Sequence, residues 1–258
     1  MTAALLQMDI EWGNPLKNIQ HAEALMNRQA GCDLYVLPEM WTTGFTCQPS
    51  LMADSERSSS ALQWMRQQAT MRQCALCGSM AVLTDNGIYR NRMYFVTPER
   101  VFHYDKHHLF SPGHEHEQYV AGAEHTIVSW KGMRFQLLVC YDLRFPVWSR
   151  YGVAGEYDAI ICVANWPSTR QHAWQTLLQA RAIENQCYVI AVNRVGADPK
   201  ISYSGGSMVV SPSGEPVIAC NDNTEQLLSA TLSIDELSEF RMRFNTLADR
   251  DALNSINI

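Results

Sequence analysis

The stretch AALLQMDIEWGNPLKNIQHAEALMNRQAGCDLYVLPE, Ala3 to Glu39, decides the fold class. Its apolar ends, AALLQMDI (3–10) and CDLYVLPE (32–39), read as strands. Between them Asn14 can cap a helix, Pro15 suits its first turn and Gly31 supplies a stop. Leu16, Ile19 and Met26 fall roughly on one face of that helix. Strand, helix and strand in this order predict a parallel pair with the helix packed across it.

Outward from there the alternation continues to the end of the chain. A second helix is expected over 58–72, then the strands CALCGSMAV (74–82) and IYRNRMYFV (88–96) about the turn TDNG. RVFHYDK, HTIVSW, MRFQLLVC and YDAIICVAN are further strands. A helix follows over 169–186, with Trp174, Leu177, Leu178 and Ala182 on one face and Ser168 with Gln171 resembling a capping box. CYVIAVN, YSGGSMVV and EQLLSATL are the last strands, before a helix near 233–242. No repeat or linker interrupts the 258 residues, so one α/β domain spanning 1–258 is expected. Many strands are apolar on both faces, and strands outnumber helices, which predicts two stacked sheets with helices outside.

Composition narrows the function classes. The formal net charge is -6 and no lysine or arginine run stands out, which argues against a nucleic-acid or acidic-membrane partner. The N-terminus lacks a basic leader segment and no apolar run approaches the ~18 residues of a transmembrane helix. A cytoplasmic protein is expected, with its eight cysteines reduced. Cys162 and Cys187 sit inside apolar runs and read as core fillers.

Three polar residues stand where strands end: Glu39 closes LYVLPE, Lys106 follows VFHYD, and Cys140 closes QLLVC. Catalytic groups of α/β proteins gather at the carboxyl ends of strands. A thiol, a carboxylate to take its proton and an ammonium to steady a carbonyl oxygen form a chemically sufficient set. Each residue alone also reads as packing or as a solvated loop residue.

The flanks LYVLPEMWTTGF, YDKHHLF and CYDLRFPVWSR, in this order, resemble the nitrilase or carbon-nitrogen hydrolase superfamily. The likeness runs on through NWP, ARAIENQCYVIAVNRVG and YSGGSMVVSPSGE, and its details are nearest to the omega-amidases. It implies a four-layer α-β-β-α sandwich of two stacked mixed sheets with helices outside, assembled as a homodimer or higher homo-oligomer. It also implies Glu39 as general base, Lys106 and the Tyr141 backbone N–H as oxyanion donors, and Cys140 as nucleophile. A second glutamate precedes an E-x-x-x-Y-x-x-G pattern, matched in EHEQYVAG by Glu115, Tyr119 and Gly122, with Glu117 as the competing position.

The implied reaction is hydrolysis of the terminal amide of short 2-oxo dicarboxylic acid monoamides, such as 2-oxoglutaramate and 2-oxosuccinamate, through a thioester and without metal or organic cofactor. Trp41, Thr42 and Thr43 are expected beside the base, and Trp166 beside the pocket. Arg170 is a candidate for the distal carboxylate, whereas Arg144 is expected to pair with Asp142. N-carbamoyl amino acids or nitriles are alternative substrates of the same fold. From a different class, His103, His107, His108, His114 and His116 suggest a metal-dependent hydrolase, although CALC in a strand puts its two sulfurs on opposite faces.

Overall fold

A computed structural model describes residues 1–251; residues 252–258 of the expected single domain lie outside the described range. In chain order the strands are β1 (Thr2–Gln7), β2 (Leu34–Val36), β3 (Asp54–Ser55), β4 (Ala75–Leu83), β5 (Tyr89–Val96), β6 (Val101–Asp105), β7 (Ile127–Trp130) and β8 (Met133–Val139). They continue as β9 (Ala159–Ala164), β10 (Tyr188–Asn193), β11 (Val195–Ala197), β12 (Ser202–Ser204), β13 (Met208–Val210), β14 (Pro216–Ala219) and β15 (Gln226–Thr231). The helices are α1 (Pro15–Met26), α2 (Pro49–Met52), α3 (Ser60–Arg72), α4 (Pro146–Ser149), α5 (Gln171–Asn185) and α6 (Ile234–Arg243).

Two mixed sheets result, and β11 with β12 forms a separate two-stranded antiparallel sheet. The first runs β15-β1-β2-β4-β5-β6, with β3 beside β4, and the second runs β14-β13-β10-β9-β8-β7. The opening β-α-β unit is parallel, with Ala3 opposite Leu34 and Leu5 opposite Val36. Alternation along each strand then assigns the layers. Leu5, Val36, Phe95, Phe135, Leu137, Val139, Ile161 and Ile190 pack together between the sheets. Leu6, Tyr35 and Leu76 turn outward against Ile19, Leu25, Trp64 and Met65 of α1 and α3. On the far side Leu138, Ile160 and Val189 meet Trp174, Leu178 and Ala182 of α5. The order of layers is α-β-β-α, the architecture the resemblance implies.

Local signals explain the starts of α1 and α3. Asn14 accepts from the Lys17 N–H and Pro15 opens α1, and Ser59 accepts from the Leu62 N–H at the start of α3. Three expectations are corrected. The first helix ends at Met26, ahead of Gly31, with Asn27 at the C-cap position and its N–H still bonded to the Glu23 carbonyl. The expected helix over 169–186 begins with a 3-10 turn, Ser168–Arg170, and α5 has no side-chain cap. The Gln171 amide instead reaches across to Ser204 and Gly205. YSGGSMVV is not one strand, since Gly205 and Gly206, both at positive φ, break it into β12 and β13. Cys74 and Cys77 do point to opposite faces, into different core layers. Among the described residues no helix is long and apolar enough to cross a membrane.

Candidate active site

The two sheets bring together side chains that lie far apart in sequence. Glu39 follows β2 and Lys106 follows β6 on the first sheet; Cys140 follows β8 and Asn165 follows β9 on the second. Glu39, Lys106 and Glu115 are all removed from solvent. The Lys106 ammonium donates to Glu39 Oε1 at 2.9 Å and to Glu115 Oε2 at 2.8 Å. Asn91 of β5 bridges the same two acids, its Nδ2 donating to Glu39 Oε1 at 2.8 Å and to Glu115 Oε1 at 2.9 Å. Glu115 also accepts from the Phe110 N–H at 2.6 Å. Glu117, the competing position, is exposed and pairs with His114.

Cys140 opens a 3-10 turn, Cys140–Arg144, at φ +48. That left-handed conformation costs a residue with a Cβ roughly 1–2 kcal/mol, and such strain gathers at functional positions. Here it turns the chain sharply off the buried strand, with the thiol lining a cavity of about 530 Å³ shared with Glu39, Lys106 and Tyr141. Burial pushes the Cys140 thiol well above the usual range; the Glu39 charge adds to this and Lys106 opposes it. Burial alone would favour neutral Lys106, but Glu115 and Glu39 outweigh it and hold its pKa above the ordinary lysine value. Burial, with the Glu39 charge adding, raises Glu115 against the pull of Lys106. The resting cluster is therefore a neutral thiol beside a charged lysine that donates to both buried acids.

Trp166 and Arg170 line the cavity, as do Phe45, Phe110 and Tyr203. Trp41, Thr42 and Thr43 do not, which corrects the expectation for them. After Glu39 the chain turns at Met40, φ +41, back into the protein. Trp41 packs against Trp64 at 5.4 Å, the Thr42 carbonyl accepts from Asn18, and the Thr43 hydroxyl donates to Gly44. The Arg144–Asp142 pairing is also corrected. Arg144 stacks 4.7 Å over the Trp166 ring and faces the cavity, and Asp142 is held by Val139, Tyr104 and His108.

His107, His108 and His114 have separate partners. His107 Nδ1 lies 2.6 Å from the Gly122 carbonyl and its ring stacks on Trp148; His108 pairs with Asp142. Among the described residues no three His, Cys, Asp or Glu side chains converge as a metal site, so the metal-dependent alternative has no ligand set. Asn91 and Asn165 were missed in the sequence. The available signal was an Asn within a buried strand, for Asn91, or directly after one, for Asn165, where a polar side chain needs a reason.

A four-layer sandwich with Cys, Glu and Lys meeting between its sheets defines a nitrilase-type hydrolase. The carbon-nitrogen hydrolase family profile matches residues 2–242, and the chain belongs to that family. It is 41% identical to the omega-amidase YafV of Escherichia coli K12 over 96% of this chain and 95% of that one. It is 35% identical to the 2-oxoglutaramate amidase of Bacillus subtilis, covering 93% of each. Among solved structures, a carbon-nitrogen hydrolase superfamily protein of Xanthomonas campestris, with an arsenic adduct in its active site, superposes with a TM-score of 0.93. That chain is 40% identical and the match covers 98% of both.

Proposed function

We propose that the protein is an omega-amidase that hydrolyses the terminal amide of short 2-oxo dicarboxylic acid monoamides, 2-oxoglutaramate and 2-oxosuccinamate among them, to the 2-oxo acid and ammonia. One observation carries the reading. A thiol beside a buried Glu–Lys pair opens into a cavity whose other walls bear Arg144 and Arg170, neither within ion-pair distance of a carboxylate among the described residues. The names of the YafV and Bacillus subtilis relatives support the same substrate class.

The geometry supports the following chemistry. Glu39 takes the thiol proton as Cys140 Sγ attacks the amide carbonyl carbon. The oxyanion is met by the Lys106 ammonium and by the Tyr141 N–H, which belongs to the first turn of a 3-10 helix and has no intrahelical acceptor. Glu39 returns its proton to the departing nitrogen, the C–N bond breaks, and ammonia leaves a Cys140 thioester. Water, giving its proton to Glu39, attacks the thioester carbonyl; collapse expels Cys140, which recovers the proton. Glu115 acts only by holding Lys106. Arg170, with Arg144, meets the distal 2-oxo carboxylate, and Trp166 walls the carbon chain. No cofactor takes part.

The test is a panel of kcat/KM values for 2-oxoglutaramate, 2-oxosuccinamate, N-carbamoyl amino acids and nitriles, with Cys140→Ala as control. Highest values for the two 2-oxo amides, abolished in Cys140→Ala, are expected. Faster hydrolysis of carbamoyl compounds or nitriles would remove the substrate assignment, and substantial turnover by Cys140→Ala would remove the nucleophile.

A further inference from the structure

We infer that Asp142 and His108 form a positioning pair that holds the Cys140 turn in register with Lys106 across the gap between the two sheets. The inference rests on Cys140 and Lys106 acting together as described above. These residues leave different sheets, and between the sheets lie Phe95, Phe135, Val139 and other apolar side chains. Apolar packing is not directional, whereas a nucleophile and its oxyanion donor must be set to within a fraction of an ångström. Directional bonds near the site are needed, and Asp142 makes them.

The Asp142 carboxylate has no solvent exposure. Its Oδ2 accepts from the Val139 N–H at 3.0 Å, on the residue before Cys140, and from the Tyr104 hydroxyl at 2.8 Å. Its Oδ1 accepts from the His108 N–H at 2.8 Å and lies 2.9 Å from His108 Nδ1. Tyr104 and His108 sit two residues to either side of Lys106. One carboxylate two residues past the nucleophile thus binds both flanks of the lysine, and its roughly four acceptor sites are filled.

The polarity of this node is fixed. The Tyr104 hydroxyl already accepts from Trp148 Nε1 at 2.9 Å and from the His107 N–H at 3.3 Å, so its own proton goes to Asp142. The Val139 and His108 backbone groups can only donate. An amide at position 142 would therefore turn an NH₂ toward donors in either orientation. His108 is held by stacking face to face on Phe145, ring centroids 3.8 Å apart. Within the fold His108 is a brace, which accounts for one member of the cluster that in sequence resembled metal ligands.

The experiment compares Asp142→Asn, His108→Ala and His108→Asn with the unaltered enzyme by two readouts. One is steady-state hydrolysis of 2-oxoglutaramate; the other, which needs no substrate, is the rate of iodoacetamide alkylation at Cys140, followed by peptide mapping. Asn keeps a donor where His108 carries Nδ1. A misplacement of the order of 1 Å costs up to about 100-fold in rate. The expected result is a fall of about tenfold or more in kcat and in Cys140 alkylation for Asp142→Asn and His108→Ala, with KM changed less than about threefold and both rates recovered mostly in His108→Asn. Unchanged alkylation in folded His108→Ala, or no recovery in His108→Asn at equal thermal stability, would overturn the pairing. Failure of the unaltered enzyme to hydrolyse 2-oxoglutaramate would sink the substrate reading alone, because the alkylation rates still judge the pair.

Discussion

Asn165 of the second sheet grips Glu39 of the first at both its side chain and its backbone. Its N–H donates to Glu39 Oε2 at 2.8 Å and its Nδ2 to the Glu39 carbonyl at 2.6 Å. The carboxylate proposed as general base is thus oriented from the sheet that carries Cys140. Asn165→Ala keeps the first bond and loses the second, leaving a buried carbonyl short of a donor. We expect a loss of about 1–3 kcal/mol in urea unfolding, together with lower kcat. A stability equal to that of the unaltered protein would show that Nδ2 contributes nothing.

Glu39→Gln separates the two effects of this carboxylate. Without a base, ammonia release falls by about 10²–10⁴-fold, the usual contribution of a positioned proton acceptor. Burial is the main reason the Cys140 pKa is high and the Glu39 charge is the next. Removing that charge must move the Cys140 pKa down. Ultraviolet thiolate absorbance against pH, with Cys140→Ser subtracted, measures the direction, and an upward movement would contradict the assigned neighbourhood.

Glu115 gives the protein a pH-dependent stability of definite sign. Its folded-state pKa is raised above 4.5, first by burial and then by Glu39. Folding therefore favours its protonated form. The stabilisation it adds is complete below its unfolded pKa and is lost as pH rises through the raised one. Urea midpoints measured across this window should decline for the unaltered protein, and Glu115→Gln should remove that declining limb while lowering kcat through a less constrained Lys106. A limb of equal slope in the variant would assign the titration to another group.

The proposed substrate assigns Arg170 and Arg144 the reading of its charge. Arg170 lies over the Phe110 ring at 5.4 Å and Arg144 over Trp166, which holds both guanidiniums at the cavity wall. A hydrogen bond to a charged group contributes about 1.5–3 kcal/mol, so Arg170→Ala should raise KM for 2-oxoglutaramate by about 10- to 100-fold. A neutral amide such as propionamide should lose less than about twofold, since no such bond forms. Equal losses for both amides would mean that Arg170 shapes the cavity and does not recognise charge.

The legibility of fold and site divides along physical lines. Strand–helix alternation and strands apolar on both faces are repeated signals, and they lead to the stacked sheets. Glu39, Lys106, Cys140 and Glu115 stand out because each carries a chemical function at a strand end or in a spaced pattern, and the fold brings all four together. Asn91 and Asn165 stay hidden because a lone amide carries no periodic signal, and its partners are chosen by the packing of two sheets. Trp41, Thr42 and Thr43 mislead because nearness in sequence to the base suggests nearness to substrate, and one left-handed residue, Met40, sends them into the core. Asp142 looks like a local partner for Arg144, yet its bonds cross to the other sheet, which no spacing within CYDLRFP encodes.

Gly122 ends the E-x-x-x-Y-x-x-G pattern for a reason visible only in three dimensions. A Cβ added there would lie 2.2 Å from the Asp105 carbonyl oxygen and 2.8 Å from the Asp105 Cβ. The obstacle is strand backbone at the residue before Lys106, so it cannot be relieved by turning a side chain. Gly122 also donates to the Lys106 carbonyl at 3.0 Å, and its own carbonyl faces His107 Nδ1. Gly122→Ala must push the end of β6 away and carry Lys106 with it. We expect a loss of about 1–3 kcal/mol from overpacking and a fall in kcat for every substrate, with Cys140 still titrating as one thiol in the folded protein. Full activity with unchanged thermal stability would mean that the segment 115–122 yields at no cost, and that its glycine is not what holds the lysine in place.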